Sequence, residues 1–371
     1  MNNAKTSNYG KLIAFFLIAS VLVCTVGFAA DGWQATTQTK PDSGNVGENT
    51  DDADENKDGN DEPDTPSVYI PEHVSALTGL ETTPELAMKR PVCFVMSSTS
   101  PLYGISSADV VVEMPTEGGE TRLLAFVSDT KDIGKIGSLT PTRKYISNIA
   151  RYFGAITVAN GNDDSIVYEG CDLASSYFDL SIESGYHYTE YTHFLYTNGA
   201  LIGAGISNAN IGTALNTRHT LPYSFTDFGA ERVSGTETAR SVSIPYSKGS
   251  ETEFYYSDAS GKYTLAKGGA PKVDMLNDET LAYDNLFILF ADTVTYESAD
   301  ASQMVMNTVS SGSGYYLSGG TAMAIRYEAS LDGEMIFYNE SGERLTVNRG
   351  TSYIGFVKSS MKSEIRLSTA Q

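Results

Sequence analysis

Three continuous apolar runs lie close together between residues 90 and 161 of the chain. They cover residues 91–96, 122–128 and 155–159, and polar turn residues bound each of them. Runs of this length predict strands that are buried on both faces of a sheet. Between the second and third runs the pattern predicts a helix, with Thr140 as its N-cap and Pro141 in its first turn. The buried face of this helix is predicted to contain Ile146, Ile149, Ala150 and Phe153.

The second half of the chain has a different pattern. Nine short strands are predicted between residues 241 and 357, separated by turns such as 258–261 and 339–342. This alternation is typical of a β sandwich or an open barrel. Since a folded region of about 300 residues exceeds what one core usually carries, we predict two domains, 67–235 and 236–371. The predicted fold class is α+β, with a mixed α/β first domain followed by a β-rich second domain.

The N-terminal residues have the pattern of an export signal. Lys5 and Lys11 precede an uncharged apolar run, so residues 1–30 are predicted to direct the chain out of the cytoplasm. Three outcomes stay open for this leader: cleavage, retention as a membrane anchor, or lipidation of Cys24. Lipidation is the least favoured, because the bulky Val23 precedes Cys24. Residues 31–66 have little apolar content and are predicted to form a disordered acidic linker.

Charge and cysteine content exclude several classes of protein. The formal net charge of −21 disfavours nucleic acid and anionic lipid surfaces as partners. Three cysteines are too few for a disulfide-dense scaffold or a four-cysteine zinc site. Cys93 lies in an apolar run and is predicted to be free rather than paired with Cys171. The acidic residues from Asp54 to Asp58 resemble the start of a calcium loop without its closing carboxylate, so neither metal nor cofactor is predicted.

Polar residues around the apolar runs form the candidate ligand site. Glu117 and Arg122 lie before and at the start of the second run, and Arg143 lies close to the predicted helix start. The two arginines could bind an anionic ligand together with the helix N-terminus. Glu117 could instead neutralise them inside the fold, and this internal ion pair is the favoured interpretation. Asn160 and Asp163 follow the third predicted strand and could complete a polar pocket.

Catalytic motifs are scarce in the sequence. There is no phosphate-binding loop with its lysine, no His-Glu-x-x-His helix and no nucleophile elbow. His193 is a candidate ligand-binding residue, although a histidine satisfied by a backbone carbonyl is the simpler interpretation. No catalytic residue is therefore predicted.

Several different short motifs lie along the chain from residue 77 onward. They include Leu77-Thr-Gly-Leu80, Ser107-Ala-Asp-Val110, Glu117-Gly-Gly119, Lys135-Ile-Gly137, Pro271-Lys-Val-Asp274 and Gly350-Thr-Ser-Tyr353. In this order the motifs resemble those of the YerB-like family of bacterial envelope proteins, which are commonly lipoproteins. The resemblance implies an architecture more than an activity. The chain differs from the family pattern at several polar positions, namely Ser97, Ser98, Ser100, Thr140 and Ala159.

Two classes of function fit these observations. We interpret the chain as an extracytoplasmic envelope protein that binds a cell-wall polymer or another envelope protein without catalysis. Its N-terminal segment would hold it at the membrane if the leader is retained or lipidated. The alternative is a hydrolase of wall glycan or peptide, with Glu117 or Asp163 as acid or base and His193 as proton carrier. Binding is favoured, because the sequence contains no pair of such groups at a diagnostic spacing.

Overall fold

The computed structural model of the protein describes residues 68–161, 176–190, 194–216, 219–297 and 302–370. All of these residues belong to one compact unit, Thr65–Gln371. The predicted leader and linker lie outside the described residues, as do Cys24, Asp163, Cys171 and His193.

The first part of the described chain contains eight strands and three helices. The strands are β1 (Val92–Ser97), β2 (Val110–Pro115), β3 (Thr121–Val127), β4 (Ile136–Leu139), β5 (Ile156–Ala159), β6 (Tyr177–Asp179), β7 (Tyr188–Glu190) and β8 (Phe194–Thr197). The helices are α1 (Pro84–Ala87), α2 (Lys144–Tyr152) and α3 (Gly199–Asn208), with 3₁₀ turns at Ile105–Ser107 and Glu117–Gly119.

The remainder of the described chain is built from strands and one 3₁₀ turn, Ser359–Glu364. The strands up to residue 291 are β9 (Ser224–Phe225), β10 (Glu237–Thr238), β11 (Ser241–Ser247), β12 (Ser250–Ser257), β13 (Lys262–Lys267), β14 (Ala270–Pro271), β15 (Ala282–Tyr283) and β16 (Asn285–Ala291). The later strands are β17 (Thr293–Glu297), β18 (Ser302–Met306), β19 (Gly312–Ser318), β20 (Thr321–Ala329), β21 (Met335–Tyr338), β22 (Thr346–Val347), β23 (Ser352–Lys358) and β24 (Arg366–Ser368).

The structure is dominated by strands, as predicted for the second half of the chain. The three apolar runs form β1, β3 and β5, and each of the nine predicted later strands is present. Helix is sparse in the first part, where α1, α2 and α3 have 4, 9 and 10 residues. The mixed α/β character predicted there is therefore weaker than expected. The division into domains at residue 235 stays a prediction.

Most of the strands form one large sheet. Its order is β10-β20-β19-β16-β23-β2-β3-β1-β4-β8-β7, and β21, β5 and β6 pair at its side with β20, β1 and β5. A second sheet has the order β14-β13-β12-β11-β24, with β15 paired to β13. In the large sheet, β23 runs parallel to both β2 and β16, and Gly355 lies opposite Glu113.

The core lies on both faces of the large sheet. One face packs against α2 and the β18 strand, through residues that include Val112, Leu124, Ile146 and Met304. The other face packs against the second sheet and α3, through residues that include Val111, Ala125, Ile244 and Ile202. Alternate residues of β2 and β3 therefore point into different halves of the core.

The predicted start of α2 is wrong by three residues. Arg143 is the N-cap of the helix, and Thr140 and Pro141 precede it outside regular secondary structure. The reason is backbone pairing: the Thr140 N–H donates to the Val95 carbonyl at 3.0 Å, and the Asn160 N–H donates to the Thr140 carbonyl at 3.2 Å. The predicted buried face is confirmed, since Ile146, Ile149, Ala150 and Phe153 are all buried.

Cys93 is a free thiol in β1 and is completely buried. Burial raises the pKa of this thiol well above its ordinary value, because no water can solvate a thiolate there. A buried neutral thiol of this kind behaves as a small apolar side chain.

Candidate functional site

Polar residues gather at one end of the large sheet. There the last residues of β1 and β2 meet the first residues of β3, with Arg122 opposite both Ser97 and Met114. Neighbouring side chains in a strand point to opposite faces, so Arg122 lies on the α2 side and Thr121 on the side of the second sheet. Two separate polar groups result. We call Glu117, Arg122 and Arg143 the arginine centre, and Glu113 with its hydrogen-bond donors the Glu113 centre.

An internal ion pair holds one half of the arginine centre. Nη2 of Arg143 donates to Oε1 of Glu117, and Nη1 of Arg143 donates to the Thr142 carbonyl at 3.1 Å. The two charged side chains are 18% and 28% exposed, so the pair is mostly removed from water. The 3₁₀ turn after β2 thus supplies the negative charge that an arginine beside a helix N-terminus requires. This is the arrangement that the sequence favoured for Glu117.

The pKa of Glu117 is lowered by its surroundings. Burial alone would raise the pKa, but the hydrogen bond from Arg143, a backbone hydrogen bond and the charges of Arg143 and Arg122 outweigh it. The folded state therefore binds a proton at Glu117 less tightly than the unfolded state does. The ion pair stabilises the fold at pH values above the unfolded glutamate pKa of about 4.3, and this contribution disappears as the pH falls through the folded pKa.

A pH titration of stability should show this linkage. We expect Glu117→Gln to reduce the free energy of unfolding near pH 7, and the difference from wild type to shrink below about pH 4. Urea unfolding at a series of pH values measures it. Glu364→Gln, at an exposed position, is the matched control. A difference for Glu117→Gln that stays constant from pH 7 to pH 3 would contradict the assigned ion pair.

Arg122 has fewer hydrogen bonds and a weaker ion pair than Arg143. Its side chain is 13% exposed, and the nearest carboxylate oxygen, Oε2 of Glu120, lies 4.0 Å from its Nη1. Nε of Arg122 and Oε2 of Glu117 are both buried without a hydrogen-bond partner in the described part of the chain. The pKa of Arg122 is lowered, first by burial and then by the charge of Arg143, with Glu117 and Glu120 opposing the shift.

The first turn of α2 lies over this arginine. Oη of Tyr145 donates to the Pro115 carbonyl at 3.1 Å, which places the turn above the end of β2. The unpaired N–H groups and partial positive charge of a helix N-terminus favour an anionic group in this position.

The structure brings three of the six predicted site residues together: Glu117, Arg122 and Arg143. Asn160 lies near the same end of the sheet. It follows β5, which runs parallel to β1, and the Asn160 N–H donates to the Thr140 carbonyl. Asp163 and His193 lie outside the described residues.

The Glu113 centre lies on the opposite face of the sheet and was missed in the sequence. Glu113 is 1% exposed. Its Oε1 accepts hydrogen bonds from Oγ1 of Thr121 at 2.6 Å and from Nζ of Lys267 at 3.4 Å. Its Oε2 accepts from Oγ1 of Thr252 at 2.7 Å and from Oη of Tyr353. A buried carboxylate is tolerable here because three hydroxyl donors and one cation surround it.

Two neighbouring tyrosines stay protonated as part of this centre. Burial raises the pKa of Tyr353 and Tyr246 well above the ordinary tyrosine value, and the Glu113 carboxylate raises both further. Tyr353 is therefore protonated at neutral pH, and its hydroxyl donates to Glu113.

A cleft of about 570 Å³ opens above the Glu113 centre, between the ends of the two sheets. Its lining comprises Ser98, Thr99, Gly249, Ser250, Glu251, Glu253, Lys267, Gly268 and Lys272. A smaller cavity of about 20 Å³ lies against Glu113 and shares Ser98, Lys267 and Lys272 with the cleft. Glu113 thus forms part of a buried floor beneath a polar cleft.

A slightly larger cleft, about 630 Å³, lies beside α3. Its arginine, Arg90, is already engaged: Nε donates to the Gly154 carbonyl at 2.8 Å and Nη2 donates to the Ala155 carbonyl at 2.9 Å and Oγ of Ser176 at 2.7 Å. Of these two clefts, the one above Glu113 is therefore the better candidate for a ligand in addition to one at the arginine centre, because a charged group lies at its floor.

A signal for Glu113 was present in the sequence. The run Val110-Val-Val-Glu-Met-Pro115 has one charged residue among apolar ones, and a strand buried on both faces keeps such a residue where it has partners. Its partners lie in β3, β12, β13 and β23, so local pattern could not identify them.

In the described part of the chain, no group of three or more His, Cys, Asp or Glu residues is arranged to hold a metal ion. None of the helices that the structure describes has the length and apolar content to span a bilayer.

Comparison with known proteins identifies the family. The model described as "Protein of unknown function (DUF3048) N-terminal domain" matches residues 77–212, and that of the corresponding C-terminal domain matches residues 242–354. The Bacillus subtilis (strain 168) protein named "Putative lipoprotein YerB" is 25% identical over 227 residues, covering 58% of this chain and 66% of that protein.

A solved structure shares the fold. The crystal structure of YerB protein from Bacillus subtilis matches this chain with a TM-score of 0.68 and 21% identity, covering 80% of this chain and 99% of the other. Both domain models, the relative and the shared fold confirm the resemblance predicted from the short motifs. The chain belongs to the YerB-like family, whose two matched domains carry the DUF3048 description.

Proposed function

We propose that this chain is an exported envelope protein that binds anionic cell-wall material at the arginine centre, without catalysing a reaction. The observation that carries the proposal is the state of Arg122. Its guanidinium is largely buried. Among the described residues its Nε has no hydrogen-bond partner, and the nearest carboxylate, that of Glu120, lies at 4.0 Å. Burying an arginine without hydrogen-bond acceptors is unfavourable, and a bound carboxylate or phosphate would supply them.

The division of roles in the arginine centre supports this assignment. Glu117 neutralises Arg143, whereas the counter-charge of Arg122 is the more exposed Glu120, whose Oε2 lies 4.0 Å from Nη1 of Arg122 and makes no hydrogen bond to it. The α2 N-terminus adds its partial positive charge on the same side. A planar guanidinium recognises a carboxylate with two parallel hydrogen bonds, which favours the free carboxylates of wall peptides as the ligand.

Location in the envelope is supported by the sequence and by the relative. The leader predicted at residues 1–30 directs export, and the name of the Bacillus subtilis relative includes the word lipoprotein. We propose that the N-terminal segment anchors the protein at the membrane, as a retained leader or through a lipid on Cys24. The acidic linker would then carry the folded part away from the membrane surface.

The geometry favours binding over hydrolysis. A general acid at neutral pH needs a raised pKa, whereas the pKa of Glu117 is lowered and its Oε1 accepts a hydrogen bond from Arg143. The alternative partners of that mechanism, Asp163 and His193, lie outside the described residues. An envelope protein with surface carboxylates stays the second class of partner, and the same arginine would bind it.

Substitution of Arg122 tests the proposal. We expect Arg122→Gln to weaken the binding of a muramyl peptide with free carboxylates at least tenfold, because one charge-assisted hydrogen-bonded contact contributes about 1.5–3 kcal/mol. Calorimetric titration measures this affinity. The melting temperature should hardly change, since Arg122 has no hydrogen-bonded carboxylate among the described residues.

Two comparisons make this test specific. Arg326→Gln removes the same charge from an exposed position on β20, where the side chain is 53% exposed, and should leave binding unchanged. The amidated form of the same peptide should bind weakly to the wild type. Equal affinity of wild type and Arg122→Gln for the carboxylated peptide would exclude the arginine centre as the binding site.

A further inference from the structure

The cleft above Glu113 contains one cation that the fold does not use. Lys272 lines both the cleft and the small cavity beneath it. Its side chain is partly buried, and its ammonium group has no hydrogen bond or ion pair with the residues that the structure describes. Lys267, by contrast, is paired with Glu113 at 3.4 Å. The two lysines therefore have different roles at the same floor.

The hairpin between β13 and β14 places both lysines there. Its turn is Gly268-Gly269, and both glycines have positive φ angles, 60° and 74°, which residues with a Cβ rarely adopt. The Lys272 N–H then pairs with the Leu265 carbonyl at 2.9 Å. The turn itself is held by Oε2 of Glu253, which accepts from the Gly269 N–H at 2.7 Å. These contacts fix the backbone of Lys272 beside the cleft, and its side chain lines the cleft.

The balance of charge at the floor defines the ligand. At the floor, Glu113 is paired with Lys267, and the positive charge of Lys272 is left without a counter-charge among the described residues; of the wall carboxylates, Glu251 is paired with Arg366 and Glu253 accepts from the Gly269 N–H. A group with one negative charge matches this unpaired charge, as in a carboxylate or a phosphodiester.

The walls of the cleft indicate the rest of the ligand. Thr99 and Ser250 offer hydroxyl groups, and Glu251 and Glu253 offer acceptor oxygens. Glu251 is itself fixed by Arg366, which donates at 2.6 Å. Carboxylate acceptors opposite hydroxyl groups suit a ligand that carries several hydroxyls of its own. A large apolar ligand would leave these groups unpaired.

We infer that the cleft between the two sheets is a second binding site, which takes a polyhydroxylated ligand with a single negative charge bound to Lys272. The site is independent of the arginine centre, because the two lie on opposite faces of the large sheet. A sugar acid and a polyol phosphodiester both have the required chemistry.

The experiment titrates the folded protein with three probes of similar size. These are a glucose trisaccharide with a single terminal glucuronic acid, a glycosylated glycerol phosphodiester with a single phosphate, and neutral maltotriose. We expect one or both anionic probes to bind and the neutral probe to bind at least tenfold more weakly. The probe that binds more tightly identifies the anionic group. Lys272→Met should reduce that binding at least tenfold, while Lys131→Met, at an exposed position, should not.

Arg122→Gln separates the two sites. This variant should leave the binding of these probes unchanged. The proposal for the arginine centre and the inference for the cleft can therefore be disproved separately. Lys272→Gln serves as a second variant, and each variant is checked by its melting curve. The inference is overturned if no anionic probe binds more tightly than maltotriose, or if Lys272→Met and Lys272→Gln bind as the wild type does.

Discussion

Replacing Lys267 with methionine is expected to lower the free energy of unfolding by about 3 kcal/mol, since this change leaves a buried carboxylate without its cation. Glu113 is 1% exposed and its ion pair with Lys267 is 3.4 Å long. The three hydroxyl donors that remain, on Thr121, Thr252 and Tyr353, solvate the charge without neutralising it. Urea unfolding at pH 7 gives the measurement.

A double-mutant cycle separates the charge from the packing. Glu113→Gln in the Lys267→Met background removes the unpaired charge and should recover about half of the lost stability or more. Glu113→Gln alone should cost less than Lys267→Met, because Lys267 is 28% exposed and its ammonium can reach water. If the two single changes are additive in the double mutant, Glu113 and Lys267 are not coupled and the assigned ion pair is wrong.

Gly355→Ala is expected to destabilise the fold by about 2 kcal/mol through overpacking. Gly355 lies opposite Glu113 in the parallel pair of β2 and β23. A Cβ atom at this position would lie 2.6 Å from Oη of Tyr246, closer than packed atoms approach. Neither the central strand nor the buried tyrosine can move aside easily.

Removing the tyrosine oxygen provides the control. In a Tyr246→Phe background the nearest side-chain atoms to the new Cβ would lie at 3.4 Å or more, which is ordinary contact. Tyr246→Phe alone should cost little, because its Oη is buried and has no hydrogen-bond partner in the part of the chain that the structure describes. The double variant should therefore melt close to Tyr246→Phe. A double variant as unstable as Gly355→Ala would show that the backbone, rather than this contact, requires glycine.

The sequence predicted the strands of this fold well and their arrangement poorly. Continuous apolar runs identified β1, β3 and β5, because burial on both faces of a sheet leaves a local signature. The pairing of β2 with β23 has no local signature in the sequence, since it joins distant parts of the chain. The predicted start of α2 was wrong for a related reason. Thr140 has the chemistry of an N-cap, but its backbone is engaged by Val95 and Asn160.

The candidate site shows the same limit. Glu117, Arg122 and Arg143 were found because their sequence positions, near a strand start and a helix start, constrain them to one end of the sheet. Sequence reasoning also favoured the ion pair that Glu117 makes. It could not decide which arginine Glu117 would neutralise, because Arg143 and Arg122 have the same chemistry. Lys272 had no signal at all, since an unpaired lysine differs from a surface lysine in its surroundings alone.

The position of β23 has a consequence for how the chain acquires its structure. This strand is the last long one in the sequence, yet it lies in the middle of the large sheet, between β2 and β16. During synthesis from the N-terminus, β2 and β16 each keep one unpaired edge until nearly the whole chain has been made. Parallel pairing over such a distance is slow, and open apolar edges associate with other chains. Completion of the sheet therefore waits for the C-terminal residues, and a chain that stalls before them is an aggregation hazard.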